Sequence, residues 1–85
     1  MAYDIEVYPE VQDQIRGLPK SALHALAEAV SVLELVPGKG DPYHRSNPEG
    51  AMRNLAFGPR SEGLITYLIR EDQNRVDLLR VLWAD

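Results

Sequence analysis

The stretch from residue 51 to residue 83 constrains the fold most, because it contains three apolar segments separated by two polar breaks. Segments and breaks alternate along the chain in the order 52–57, 58–63, 64–69, 70–75 and 76–83. The breaks contain residues that tolerate turns, among them Gly58, Pro59 and Asn74. This pattern predicts a meander of three antiparallel strands.

The first half of the chain predicts one strand and two helices. Residues 3–8 alternate between apolar and polar side chains, as in a half-buried strand at or near a sheet edge. Pro9 suits the first turn of a short helix that Gly17 and Pro19 end. A longer helix is expected from Pro19 or Ser21 to about Val36. Its predicted apolar stripe consists of Leu23, Leu26, Ala27, Val30 and Leu33.

These elements predict an α+β domain with the order βααβββ, in which a helical hairpin packs on one face of an antiparallel meander sheet. The middle strand of the meander is apolar at five of its six positions, which is typical of a strand buried on both faces. We therefore expect either sheet twist or a partner protein to cover the face opposite the helices.

Length and composition restrict the possible functions. The 85 residues form one domain, residues 1–85, and the chain has no cysteine, which excludes disulfides, thiolate metal ligands and a cysteine nucleophile. No segment reaches the roughly 18 consecutive apolar residues of a membrane span, and the acidic N-terminal segment is unlike a signal peptide. These features predict a soluble, cytoplasmic protein that does not engage a membrane.

Charge is distributed unevenly within the net charge of −4. Residues 1–42 carry an excess of acidic side chains. Residues 43–85 contain six arginines, six acidic residues and no lysine. Arginine suits bidentate contact with phosphate or carboxylate, although exposed strand edges also explain such a set.

The connection at residues 38–50 is long for so small a domain, which is typical of a functional or disordered loop. It contains Tyr43, His44 and Arg45, which are able to stack on a base, transfer a proton and hold a phosphate. An ordinary polar connection is the alternative. Glycine-rich phosphate-binding motifs are absent, and His24 and His44 are too few for a metal site, so neither a metal nor a small-molecule cofactor is expected.

Several phrases, in this order and at these spacings, resemble the RelE/ParE superfamily of toxins from type II toxin–antitoxin modules. The resemblance covers essentially the whole chain. The phrases are residues 3–9, 15–19, 35–37, 53–58, 64–69 and 76–83. Arg53, Leu55 and Gly58, followed by a turn and an apolar strand around Tyr67, form the most diagnostic part.

The resemblance implies a toxin that a cognate antitoxin neutralises by wrapping its helices and sheet. Released toxin would cleave mRNA on the ribosome as a metal-independent endoribonuclease. The resemblance implies Arg53 and Arg80 as the catalytic residues that hold the phosphate, and in this hypothesis His44 or Glu49 carries the proton. The candidate RNA-binding residues of this hypothesis are Arg45, Tyr67 and Trp83. The guanidinium groups of Arg53 and Arg80 are expected to converge in one concavity of the sheet.

Two alternatives stay open because Leu64 stands where many members of the superfamily have arginine. One is a ParE-like inhibitor of DNA gyrase. The other is a degenerate, noncatalytic module that retains only the antitoxin interface.

Overall fold

The computed structural model describes residues 2–84 as two helices and a five-stranded sheet. The elements are β1 Asp4–Val7, α1 Pro9–Arg16, α2 Lys20–Leu35, β2 Asp41–Pro42, β3 Met52–Phe57, β4 Gly63–Arg70 and β5 Arg75–Trp83. Single 3₁₀ turns follow α2 and β4. The predicted βααβββ order is confirmed, with the two-residue β2 as an addition.

The strands are ordered β1-β5-β4-β3-β2 across the sheet. The predicted meander is confirmed, because β3, β4 and β5 pair antiparallel in sequence. β1 lies at one edge and pairs in parallel with β5, matching Ile5 to Val76 and Val7 to Leu78. The other edge is β2, which covers only Asn54 and Arg53 of β3.

Both helices pack on the same face of the sheet, which we call the helix face. The core between them contains side chains from α1, α2 and the three meander strands, including Val11, Leu26, Leu33, Ile65 and Tyr67. The opposite side is the outer face. Within residues 2–84 no helix covers it.

The buried stripe of α2 differs from the predicted one. Ala22, Leu26, Ala29 and Leu33 are buried, at spacings of four, three and four residues. Leu23 is 40% exposed, and Ala27 is also exposed. The prediction was wrong at Leu23 and Ala27 because the buried stripe is rotated by one position, so that Ala22 and Ala29 take the places that face the sheet.

A β-bulge half-way along β5 shifts the alternation of its side chains between the two faces of the sheet by one residue. Thr66 of β4 pairs with Arg80, whereas the next residue, Tyr67, pairs with Leu78. Leu79 is therefore the extra residue of the bulge. Because Tyr67 belongs to the core and residues directly opposite share a face, Thr66 and Arg80 lie on the outer face.

The middle strand is buried on both sides only at its centre. Thr66 on the outer face is 4% exposed and Tyr67 on the helix face is fully buried. Leu64 and Leu68, on the outer face beside Thr66, are half-buried. Within residues 2–84 no helix is long and apolar enough to cross a membrane.

Candidate functional site

Arg53 lies on the helix face of β3, directly opposite Tyr67. Its guanidinium group donates hydrogen bonds of 3.0 Å to the carbonyl oxygens of Gly40 and Pro48. Its Nε is buried and has no hydrogen-bond partner among the described residues. Arg53 therefore fastens two points near the ends of the connection at residues 38–50, using one donor from each of its two terminal nitrogens.

Tyr67 fastens the start of the same connection. Its hydroxyl donates a 2.6 Å hydrogen bond to the carbonyl of Pro37 and accepts a 3.0 Å bond from the backbone N–H of Gly40. Burial raises the pKa of Tyr67, so the phenol stays protonated and able to donate. The ring of Tyr67 is fully buried, and its predicted role as a base-stacking surface stays a prediction.

Gly40 is required where these contacts meet. A Cβ at this position would lie 2.6 Å from both the Asn54 carbonyl oxygen and the Tyr67 hydroxyl oxygen. Arg53, Tyr67 and Gly40 therefore form one structural unit, which we call the loop clasp. It ties the backbone at Pro37, Gly40 and Pro48 to β3 and β4.

Arg80 lies on the outer face, is exposed, and makes no hydrogen bond or ion pair with any residue in 2–84. The predicted convergence of Arg53 and Arg80 is wrong, because the sheet separates their side chains. The bulge at Leu79 is the physical reason, since it turns Arg80 away from the face that Arg53 occupies.

The remaining predicted residues lie in two further places. Tyr43, His44 and Arg45 are exposed on the loop after β2, with the rings of Tyr43 and His44 edge to face at 5.0 Å. Trp83 packs on the helix face against Phe57, with ring centroids 5.7 Å apart. The structure does not bring the six predicted site residues together. Their roles in RNA binding or catalysis stay predictions.

A cluster on the outer face was missed by sequence reasoning. Asp77 of β5 is 1% exposed, and its carboxylate accepts hydrogen bonds from Tyr8 at 3.0 Å, Arg75 at 2.8 Å and Arg70 at 3.3 Å. Burial raises the pKa of Asp77, but the bonds from Arg75 and Tyr8 and the nearby arginine charges outweigh it and leave the pKa below its usual value. The available signal was an acidic residue inside an otherwise apolar strand.

A mostly apolar groove runs between α2 and the free edge of β3. One section has a volume of about 520 Å³ and the next, toward Trp83, about 580 Å³. The sections share Ala25, Glu28 and Pro59 as walls. Alanines on α2 keep the groove open, and they were the sequence signal for it.

The edge of β3 beside this groove has backbone groups that β2 does not cover. The carbonyl of Met52 accepts a hydrogen bond from the N–H of Tyr43, so the backbone N–H and C=O groups of Met52 point away from β4. Backbone N–H and C=O groups of alternate residues point to the same side of a strand. Those of Ala56 therefore also point away from β4, at a position beyond the end of β2. An extended peptide is able to pair with such an edge while its side chains enter the groove.

Two helices on one face of a β1-β5-β4-β3-β2 sheet define a small α+β fold that solved structures share. A chain of a RelBE toxin–antitoxin complex from Mycobacterium tuberculosis matches with a TM-score of 0.80 at 22% identity, covering 98% of this chain and 99% of that one. Isolated E. coli RelE toxin matches at 0.76 and 16% identity, covering 99% of this chain and 86% of that one. An archaeal RelE–RelB complex from Pyrococcus horikoshii matches at 0.67 and 15% identity, covering 98% and 96%.

No protein-family model matches the chain, and no curated protein shows significant sequence similarity. The protein thus has the fold of RelE toxins over its described length, and the fold predicted from the sequence resemblance is confirmed.

Proposed function

We propose that this protein is the toxin component of a type II toxin–antitoxin pair, and that a cognate antitoxin holds it inactive. The supporting observation is the fold likeness, which covers 98% or more of this chain and includes both an isolated RelE toxin and toxin–antitoxin complexes. The cytoplasm is the compartment in which such a pair would act.

The groove between α2 and β3 is the surface we assign to the antitoxin. Its walls are mainly alanine, leucine, valine, phenylalanine and proline side chains, which favour an apolar segment. The uncovered edge of β3 favours an extended one, because a strand added there gains main-chain hydrogen bonds. The charges of Glu28 and Glu62 are balanced by Lys20 and Lys39 along the rim, so the segment needs no excess charge.

Expression with and without the antitoxin tests the proposal. The protein alone is expected to arrest bacterial growth, and co-expression of the small protein encoded beside it is expected to restore growth. Ala25→Arg fills the groove and should weaken antitoxin binding at least about tenfold in calorimetry, a change of about 1.4 kcal/mol. Ala27→Arg is the matched control, because Ala27 lies on the exposed side of α2. Harmless expression of the protein alone would contradict toxicity, and equal effects of both variants would contradict the groove assignment.

For the free toxin, the first activity we propose is cleavage of mRNA on the ribosome. Likeness to RelE toxins supports this activity, and the exposed guanidinium of Arg80 is the predicted catalytic group best placed to meet a phosphate. Primer extension on mRNA from a translating extract would detect cleavage sites. Arg80→Ala should remove them without lowering the melting temperature, and persistent cleavage would exclude Arg80.

The second candidate function is a noncatalytic one, and the balanced charge of the outer face favours it. Arg70, Arg75 and Arg80 share this face with Asp4, Glu6, Asp41 and Asp77. This balance gives little attraction for a polyanion. A toxin that binds a protein target such as DNA gyrase would inhibit supercoiling by purified gyrase. A degenerate module that only binds the antitoxin would affect neither growth nor supercoiling.

A further inference from the structure

We propose that the outer face of the sheet binds a second copy of this chain, forming a weak symmetric dimer that covers Arg80. This inference goes beyond the toxin assignment and does not depend on it. It rests on one row of residues that crosses the sheet. From β5 to β2 the paired residues of this row are Arg80, Thr66, Asn54 and Asp41.

The two ends of this row carry opposite charges that have no ion-pair partner within residues 2–84. Arg80 and Asp41 are both exposed, and the three strand spacings between them amount to about 14 Å. Between them, Thr66 donates a 2.6 Å hydrogen bond to the side chain of Asn54. The middle of the row is therefore satisfied within one chain, whereas its two ends are not.

A twofold axis that runs along the strands, between β3 and β4, matches these charges with each other. It brings Arg80 of one copy opposite Asp41 of the second copy, and the same contact repeats on the other side of the axis. Strand directions in the two sheets stay aligned, which is a common arrangement for sheets packed face to face.

The same axis also pairs apolar side chains in the rows on either side. Leu64 is opposite Ala56 within the sheet, and Leu68 is opposite Met52. The axis therefore places Leu64 against Ala56 of the second copy and Leu68 against Met52 of the second copy. All four side chains lie on the outer face, and none is fully buried in the single chain. Contact with a second copy would remove this apolar surface from water.

The size of the face indicates a weak dimer. The outer face of β3, β4 and β5, each contributing about five residues, together with the two-residue β2, presents roughly 280 Å² at a strand spacing of about 4.8 Å. Two copies would then bury about 550–600 Å² in total, which is below the range of stable complexes. We expect a dissociation constant between roughly 10 and 1,000 µM, so self-association should depend on protein concentration.

Sedimentation equilibrium on the full chain, from about 20 µM to about 1 mM, tests the dimer. Arg80→Asp and Asp41→Arg should each raise the dissociation constant at least about tenfold, because each places like charges opposite one another. The double variant should return it to within about threefold of the wild-type value. Lys20→Asp on α2 makes the same charge change away from the outer face and should have no effect. Circular dichroism confirms that each variant is folded.

Three results would overturn the inference. The first is a wild-type protein that stays monomeric over the whole concentration range. If Arg80→Asp also weakens antitoxin binding in that case, the outer face belongs to the antitoxin. The second is a double variant that fails to restore association. The third is a Lys20→Asp variant that weakens association as much as Arg80→Asp does. A harmless but dimeric protein would support the dimer and contradict only the toxin assignment.

Discussion

Replacing Tyr67 with phenylalanine separates a structural role for its hydroxyl from a role of its ring in RNA binding. The substitution keeps the ring and removes two buried hydrogen bonds, one donated to the Pro37 carbonyl and one accepted from the Gly40 N–H. A net loss of about 1 kcal/mol for each bond, plus the cost of leaving the Gly40 N–H buried and unpaired, gives about 2–4 kcal/mol. A chain of this length has a free energy of unfolding of roughly 4–13 kcal/mol, so the loss is large.

Urea unfolding followed by circular dichroism measures this loss. With a slope of about 1 kcal/mol per molar urea for a small domain, the midpoint should fall by roughly 2–4 M. Tyr43→Phe is the matched control, because Tyr43 is 41% exposed and its hydroxyl makes no hydrogen bond within residues 2–84. The control should stay within about 0.5 kcal/mol of the wild type. An unchanged midpoint for Tyr67→Phe would refute the loop clasp.

Three further substitutions test the clasp and the outer-face cluster. Arg53→Met removes the bonds to Gly40 and Pro48, so amide hydrogen exchange across residues 43–50 should accelerate while exchange in β4 stays slow. An equal acceleration in the loop and in β4 would contradict this. Gly40→Ala should destabilise by more than about 2 kcal/mol in urea unfolding, because its Cβ meets backbone. Asp77→Asn removes the charge that accepts bonds from two partly exposed arginines and should cost about 1.5–3 kcal/mol in the same assay. The wild-type Asp77 carboxyl has a lowered pKa, so its stabilisation is complete above about pH 4 and is lost as the pH falls through the folded value. Melting temperatures between about pH 2 and pH 6 should show this acid dependence in the wild type but not in the variant.

The element order was predictable because each element has its own local signal. The alternation of apolar and polar residues identifies β1. The starts of the two helices are marked by Pro9 and Pro19, and the polar breaks divide the meander into strands. The two-residue β2 has no such signal, because a pairing of that length depends on where the rest of the sheet places it. The buried alanines of α2 were missed for a related reason, since alanine is common on exposed and buried helix positions alike.

The positions of the arginines were not predictable, because they depend on the bulge in β5. Strict alternation from Val76 and Leu78 would put Arg80 on the helix face, together with Arg53. The extra residue at Leu79 reverses this, and no local pattern in the sequence marks it. Arg53 illustrates a second limit. Its type and strand position suit phosphate binding, but the contacts that its guanidinium group makes come from a loop whose path the sequence does not specify.

The place of β5 between β1 and β4 has a consequence for biosynthesis. β1 is translated early, but within residues 2–84 the one strand that pairs with it is β5, so residues 4–7 have no such partner until residues 75–78 have left the ribosome. Contacts so distant in sequence form late. A nascent chain of this protein therefore cannot complete its sheet during most of its own translation.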